Sequence, residues 1–220
     1  MKDKTLKHYE KLAKLFQYPD AEYSLHVREV ESLLSQPYPE TQTTFNEFAK
    51  YVYGATREEL EELFARTFDV QAITTLDIGY VLFGDDYKRG ELLVNLNREH
   101  RDADNDCGDE LADNLSNILK LLPKLKNTDL REELIDKIIM PALNKIIKEF
   151  DVENINLKNK VYQKQFKTII EQSEDYGRIY RNPLMVVYKI IEKDFGYVKP
   201  AEEENKNSFT DSITSEIKID

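Results

Sequence analysis

Cysteine occurs once in the 220 residues, at Cys107. No disulfide within the chain can staple the fold, and a reducing, cytoplasmic setting is the expectation. No His–Asn or His–Asp arrangement can be proposed around this thiol, so it reads as structural rather than nucleophilic. The three histidines, His8, His26 and His100, stand far apart, none in an H-x-x-x-H or H-E-x-x-H spacing. That leaves too few converging nitrogen and sulfur ligands for a zinc site. Glycine and proline number seven each, and few stretches alternate apolar with polar residues, so a series of short strands is not expected. No run approaches the ~20 apolar residues of a membrane span. The charged stretch Met1–Lys7 lacks the apolar core of an export signal. No G-x-x-x-x-G-K-[ST] loop is present, which excludes nucleotide triphosphatases of that kind.

Basic residues are in the minority. Lys and Arg total 31 against 42 Asp and Glu, a net charge of -11. A general nucleic-acid binder needs a clustered basic surface, so the balance argues against one. It suits a protein kept soluble by self-repulsion, or one whose partner is positively charged.

What the chain has in quantity is helical period. Leu6, Tyr9, Leu12, Ala13 and Phe16 form a stripe that stops at Tyr18-Pro19. Thr56-Arg57-Glu58-Glu59 reads as a capping box, ahead of Leu60, Leu63, Phe64 and Phe68 on one face. Leu111, Leu115, Ile118, Leu119, Leu122 and Leu125 make a further stripe. A wider one runs from Leu134 to Phe150, with Pro141 inside it predicting a kink or a break. Tyr162, Phe166, Ile169 and Ile170 continue the series. Asn182-Pro183 reads as an N-cap followed by proline at the first helical position, and Gly196 as a helix stop. The pattern predicts an all-α fold: one domain over residues 1–199, a bundle of about nine or ten helices. Residues 200–220 are poor in apolar side chains and read as an acidic, disordered tail.

Candidate chemistry concentrates in two stretches. In 102–113, Asp102, Asp104 and Asp106 take the alternate positions of a calcium loop and Asp113 its closing position. Cys107 stands where glycine belongs, and Asp is short for the closing acid, so a solvated loop is the reading. The segment "FGDDYKRGELLVNL", 83–96, holds Asp85-Asp86. A magnesium-dependent enzyme acting on a diphosphate would need further acids one turn on, but Arg89 stands there. Asp85 or Asp86 capping a helix, with Lys88 and Arg89 held by a salt bridge or serving a binding surface, is the alternative.

The order of these pieces resembles the redox-enzyme maturation proteins, in the branch of the nitrate reductase molybdenum cofactor assembly chaperones, the nitrate reductase delta subunit. The pieces are "LFQYPD" (15–20), "LEELFARTFDV" (60–70), "YVLFGDDYKRGELLVNL" (80–96), "DELADNLSNILKLL" (109–122), "PALNKIIKEF" (141–150) and "VYQKQFKTII" (161–170). Phe68-Asp69, Gly84-Asp85 and Arg89-Gly90 carry most of the likeness. Ala112 and Ser116 replace prolines of the family pattern and Asn114 a histidine or tyrosine, whereas Glu110, Leu111, Asp113 and Leu115 are kept.

The resemblance implies an all-helical, non-enzymatic, cytoplasmic chaperone with no cofactor of its own. It would bind the apo catalytic subunit of a respiratory molybdenum enzyme, through the N-terminal leader or its remnant, until molybdopterin guanine dinucleotide is inserted. The client stays open between nitrate reductase and dimethyl sulfoxide, selenate or perchlorate types. Monomer and segment-swapped dimer also stay open. A leader that is apolar with arginines calls for an apolar groove rimmed by acids. On that reading Phe64, Phe68 and Tyr80 supply apolar contact, Glu61, Asp69, Asp85, Glu110 and Asp113 the acidic rim, and Arg89 ties the segments together. Phe64 and Phe68 fit a core face equally well. A generic helical adaptor remains the plainer alternative.

Overall fold

The helical period is realised along the chain in a computed structural model that describes residues 6–165 and 178–199. α1 (His8–Ala13) buries Tyr9, Leu12 and Ala13, then tightens into a 3-10 turn, Lys14–Phe16. The backbone is already extended at Gln17, and Tyr18, preceding Pro19, is in turn biased away from helix. α2 (Tyr23–Leu34) and α3 (Gln42–Gly54) each bury one stripe. α4 (Arg57–Phe68) begins at the expected capping box. The Glu59 amide donates to Thr56 Oγ1 at 3.3 Å and the Thr56 amide to Glu59 Oε2 at 2.7 Å, satisfying amides that the first turn leaves without partners.

Downstream come α5 (Ile78–Phe83), α6 (Tyr87–Asp102), α7 (Leu115–Leu121), α8 (Thr128–Leu134), α9 (Met140–Lys148), α10 (Val152–Gln165) and α11 (Arg181–Phe195). Pro141 does not break its helix. A π turn, Ile135–Ile139, joins α8 to α9 and brings Pro141 into the first turn of α9. An α-helical proline collides with the carbonyl four residues back, and a widened turn relieves that crowding. With α8 and α9 counted as the one rod they form, the described residues hold ten helices and no strand.

α1 packs on α7, α3 lies between α2 and α11, and α9 between α5 and α11. One continuous apolar cluster runs through them. Its aromatic centre is Tyr180, whose ring meets Phe48, Phe64 and Phe68 at 4.9–5.8 Å. The Tyr180 hydroxyl lies 3.0 Å from that of Tyr23, which donates to Leu15 O. Near the two ends of the chain, the buried Asp194 carboxylate accepts from Tyr9 and Tyr38 and lies 2.8 Å from His8 Nε2. This locks α1 to α11.

Two readings need correction. Leu111 belongs to no helix and is exposed, because the helix starts only at Leu115, capped by Asn114. Asn182 is inside α11 rather than its N-cap. That helix opens at Arg181, with Pro183 in a first turn where a missing amide proton costs nothing. Phe166, Ile169, Ile170 and the tail 200–220 lie outside the described residues. Gly196 does end α11, in the left-handed region at φ 66°.

Candidate functional site

Two short segments, 76–79 and 113–115, run side by side where α5 and α7 begin. The Ile78 amide donates to Asp113 O at 3.0 Å and the Leu115 amide to Leu76 O at 2.8 Å, a single antiparallel bridge between Asp77 and Asn114. The approach is close enough that a Cβ on Gly79 would meet Asp113 Oδ2 at 2.5 Å. Glycine is what admits this carboxylate.

Arg89 completes the arrangement. Gly84, at φ 58°, ends α5 and turns the chain. Asp86 then caps α6, accepting from the Lys88 amide at 2.9 Å. From the first turn of α6 the Arg89 side chain reaches back over α5. Its Nη2 donates to Asp77 Oδ2 at 3.0 Å and its Nε to Asp113 Oδ2 at 3.1 Å. The guanidinium carbon sits 5.1 Å from the Tyr80 ring centre, a cation–π distance. One cation thus serves two acids. Asp113 is fully buried, and its Oδ1 accepts no hydrogen bond among the described residues.

The charges feel one another. Burial pushes the Asp77 carboxyl up to about 6, reinforced by the charge of Asp113 and opposed by Arg89. Asp69, at the end of α4, is raised by its surroundings and then by the charge of Glu110. Burial works against the Arg89 charge, but its hydrogen bonds and charge contacts with Asp113 and Asp77 outweigh it and raise the group.

The acidic loop after α6 is pinned from beneath. Asn117 Nδ2 donates to Cys107 O and Leu111 O at 3.2 and 2.9 Å. His100 Nε2 lies 2.9 Å from Ala112 O, and its Nδ1 lies 2.8 Å from Asn105 Nδ2. Lys120 and Lys124 donate to the carbonyls of Asp106 and Asp104. The calcium-loop pattern of 102–113 is thereby taken apart: lysines hold its carbonyls, and Asp113 turns inward to Arg89. Among the described residues, no group of three or more His, Cys, Asp or Glu is arranged to hold a metal ion.

Of the residues singled out from sequence, Asp69, Tyr80, Arg89, Glu110 and Asp113 gather in this one region. Phe64 and Phe68 point into the core against Tyr180, 7 % and 6 % exposed, so they support the region from within. Glu61 pairs with Arg57 one turn back along α4. Asp85 is exposed in the turn before α6; its neighbour Asp86, followed by Lys88 and Arg89, is occupied as a cap. Asp77 was missed: it precedes an apolar helix and looks like an N-cap, yet its side chain goes to Arg89 instead. Val70 was missed too, and Leu111, expected in a buried stripe, is instead on the surface; they are 52 % and 49 % exposed, next in sequence to Asp69 and Glu110. No protein-family model matches the chain, and no curated protein matches it in sequence.

Proposed function

We infer that this chain is a system-specific chaperone for the apo catalytic subunit of a respiratory molybdenum enzyme. It binds that subunit's N-terminal leader, or a remnant of it, and keeps it open for molybdopterin guanine dinucleotide. The chain makes and breaks no bond in this reading. Support comes first from the sequence resemblance of its motifs in their order.

The observation that carries the reading is what the two most distinctive motifs do in space. The Gly-Asp-x-x-x-Arg-Gly stretch and the Glu-Leu-Ala-Asp stretch meet through Arg89 and Asp113. Beside that joint stand Asp69 and Glu110, neither paired with a cation among the described residues, each next in sequence to an exposed apolar residue, Val70 and Leu111. Uncompensated acids beside uncovered apolar side chains suit a segment that is itself apolar with arginines. Arg89 is the internal brace of this surface, and Asn117 with His100 fixes the loop that carries Glu110.

Titration calorimetry with the leader peptide of a molybdenum subunit encoded beside this chain tests the reading. Saturable binding is expected. Asp69→Lys with Glu110→Lys should weaken it about tenfold or more, since like charges across an interface repel, with helical content unchanged. Absence of saturable binding, or normal maturation of the molybdenum enzyme in cells lacking this chain, would overturn it.

A further inference from the structure

α6 buries little of itself. Of its 16 residues only Leu96 and His100 are fully covered. Its opposite side carries Tyr87 and Val94, 79 % and 71 % exposed, the two most exposed large apolar side chains of any described helix. Tyr87, Val94 and Arg101 are seven residues apart, so they fall on one line along the helix, drifting by only about 20° per step. Gly90 stands beside that line, and nothing lies within 4 Å of the place its Cβ would take. A mid-helix glycine and an exposed β-branched valine each weaken a helix relative to alanine, and no contact among the described residues accounts for the glycine. A bare backbone on an outer face is what a second helix needs for close approach.

The line reads the same from both ends. Tyr87 lies seven residues before Val94 and Arg101 seven after it. Two copies of α6 laid antiparallel across a two-fold axis at Val94 therefore set Val94 on Val94, Arg101 over Tyr87 and Asn97 against Gly90, each contact made twice. A guanidinium over a tyrosine ring is a cation–π pair. At the edge, Lys88 of one copy comes within about 3 Å, along the axis, of Asp102 of the other. Lys88, Arg101 and Asp102 are exposed, and none pairs with another side chain among the described residues. From Tyr87 to Asp102 the helix has four basic and three acidic residues, a net charge of +1 in a chain of -11. Here two copies can meet without the repulsion that so acidic a chain otherwise imposes.

We propose that the outer face of α6 is a self-association surface, on which a second copy of this chain pairs antiparallel about Val94. The contact runs about 21 Å along each helix, which places it among the small, reversible interfaces. The chain is monomeric when dilute and dimeric when concentrated, and no segment is exchanged between copies. The inference does not rest on the client-binding reading, because the Arg89 side chain and the acids it holds lie on the inner side of α6.

Sedimentation equilibrium of the full-length chain, from micromolar to submillimolar concentration, should show a reversible monomer–dimer equilibrium. Val94→Arg should weaken it tenfold or more. In a Cys107→Ser background, Val94→Cys should form a disulfide-linked dimer on mild oxidation severalfold faster than Leu25→Cys, an exposed position on α2. Tyr87→Cys alone should not exceed that control, because its two copies stand about 21 Å apart, whereas Tyr87→Cys chains mixed with Arg101→Cys chains should cross-link readily. A chain that stays monomeric throughout would overturn the proposal. So would Val94→Cys reacting no faster than the control, or Tyr87→Cys alone reacting as fast as Val94→Cys. A Val94→Arg chain that dimerises as before but no longer binds the leader peptide would also overturn it, making the client the occupant. Helical circular dichroism checks the fold of each variant.

Discussion

Arg89 divides one positive charge between Asp77 and Asp113, and that shortage sets two measurable behaviours. Asp113 is fully buried, and removing the one cation it pairs with among the described residues strands a charge in low dielectric. Arg89→Met should therefore destabilise by about 3–5 kcal/mol in urea titration, and Asp113→Asn in the same chain should return part of the loss. Lysine cannot span both acids as the guanidinium fork does, so Arg89→Lys is not a conservative change. The second behaviour concerns Asp77. Its carboxyl is raised to about 6, above its unfolded value, so the folded state holds that proton more tightly. The resulting stabilisation is complete below about pH 4 and lost as pH rises through about 6, a swing of about 3 kcal/mol. Asp77→Asn should remove this slope: relative to the parent, its thermal midpoint should rise between pH 4 and pH 7. A parent–variant difference that does not change with pH would place Asp77 at an ordinary carboxylate value.

Among the elements, α4 shows how local chemistry defines a helix that then serves the site. The reciprocal Thr56–Glu59 bonds fix where it starts, its buried face ends with Phe64 and Phe68, and the next residue is Asp69. Thr56→Ala should lower stability by about 1 kcal/mol in denaturant titration, with the transition still cooperative. The α8–α9 rod is the contrary case. Its apolar stripe and its proline are both plain in sequence, but whether proline kinks, breaks or widens a helix depends on what the flanking turns pack against. Here α5 lies against both the π turn and α9, and the helix passes the proline without ending. Leu111 fell outside its expected stripe for a similar reason: the Asp77–Asn114 bridge claims the backbone at 113–115 and delays the helix to Leu115.

At the scale of the whole molecule, a net charge of -11 surrounds a surface where two acids share one arginine. A cationic leader would be drawn to it by long-range attraction as well as by contact. The affinity proposed above should accordingly fall as salt rises from low to physiological strength, mainly through slower association. It should fall again as pH drops through 6 and Asp77 is neutralised. Among the described residues no helix is long and apolar enough to cross a membrane. The Asp194 contacts to His8, Tyr9 and Tyr38 close the fold by joining its first helix to its last described one.

The all-helical class, the buried faces of most helices, the capping box of α4 and the glycine stop of α11 were determined by sequence alone. Each is set by side chains three or four residues apart acting on their own turn of backbone. Asp69, Tyr80, Arg89, Glu110 and Asp113 were also legible as notable residues. Tertiary structure alone decided what they do: Arg89 chooses acids 12 and 24 positions away, Asp77 gives up a cap for an ion pair, and the rings of Phe64 and Phe68 turn to Tyr180. Those outcomes depend on which helices lie side by side. Helix docking is set by the shape and burial of whole faces, and no local period records it.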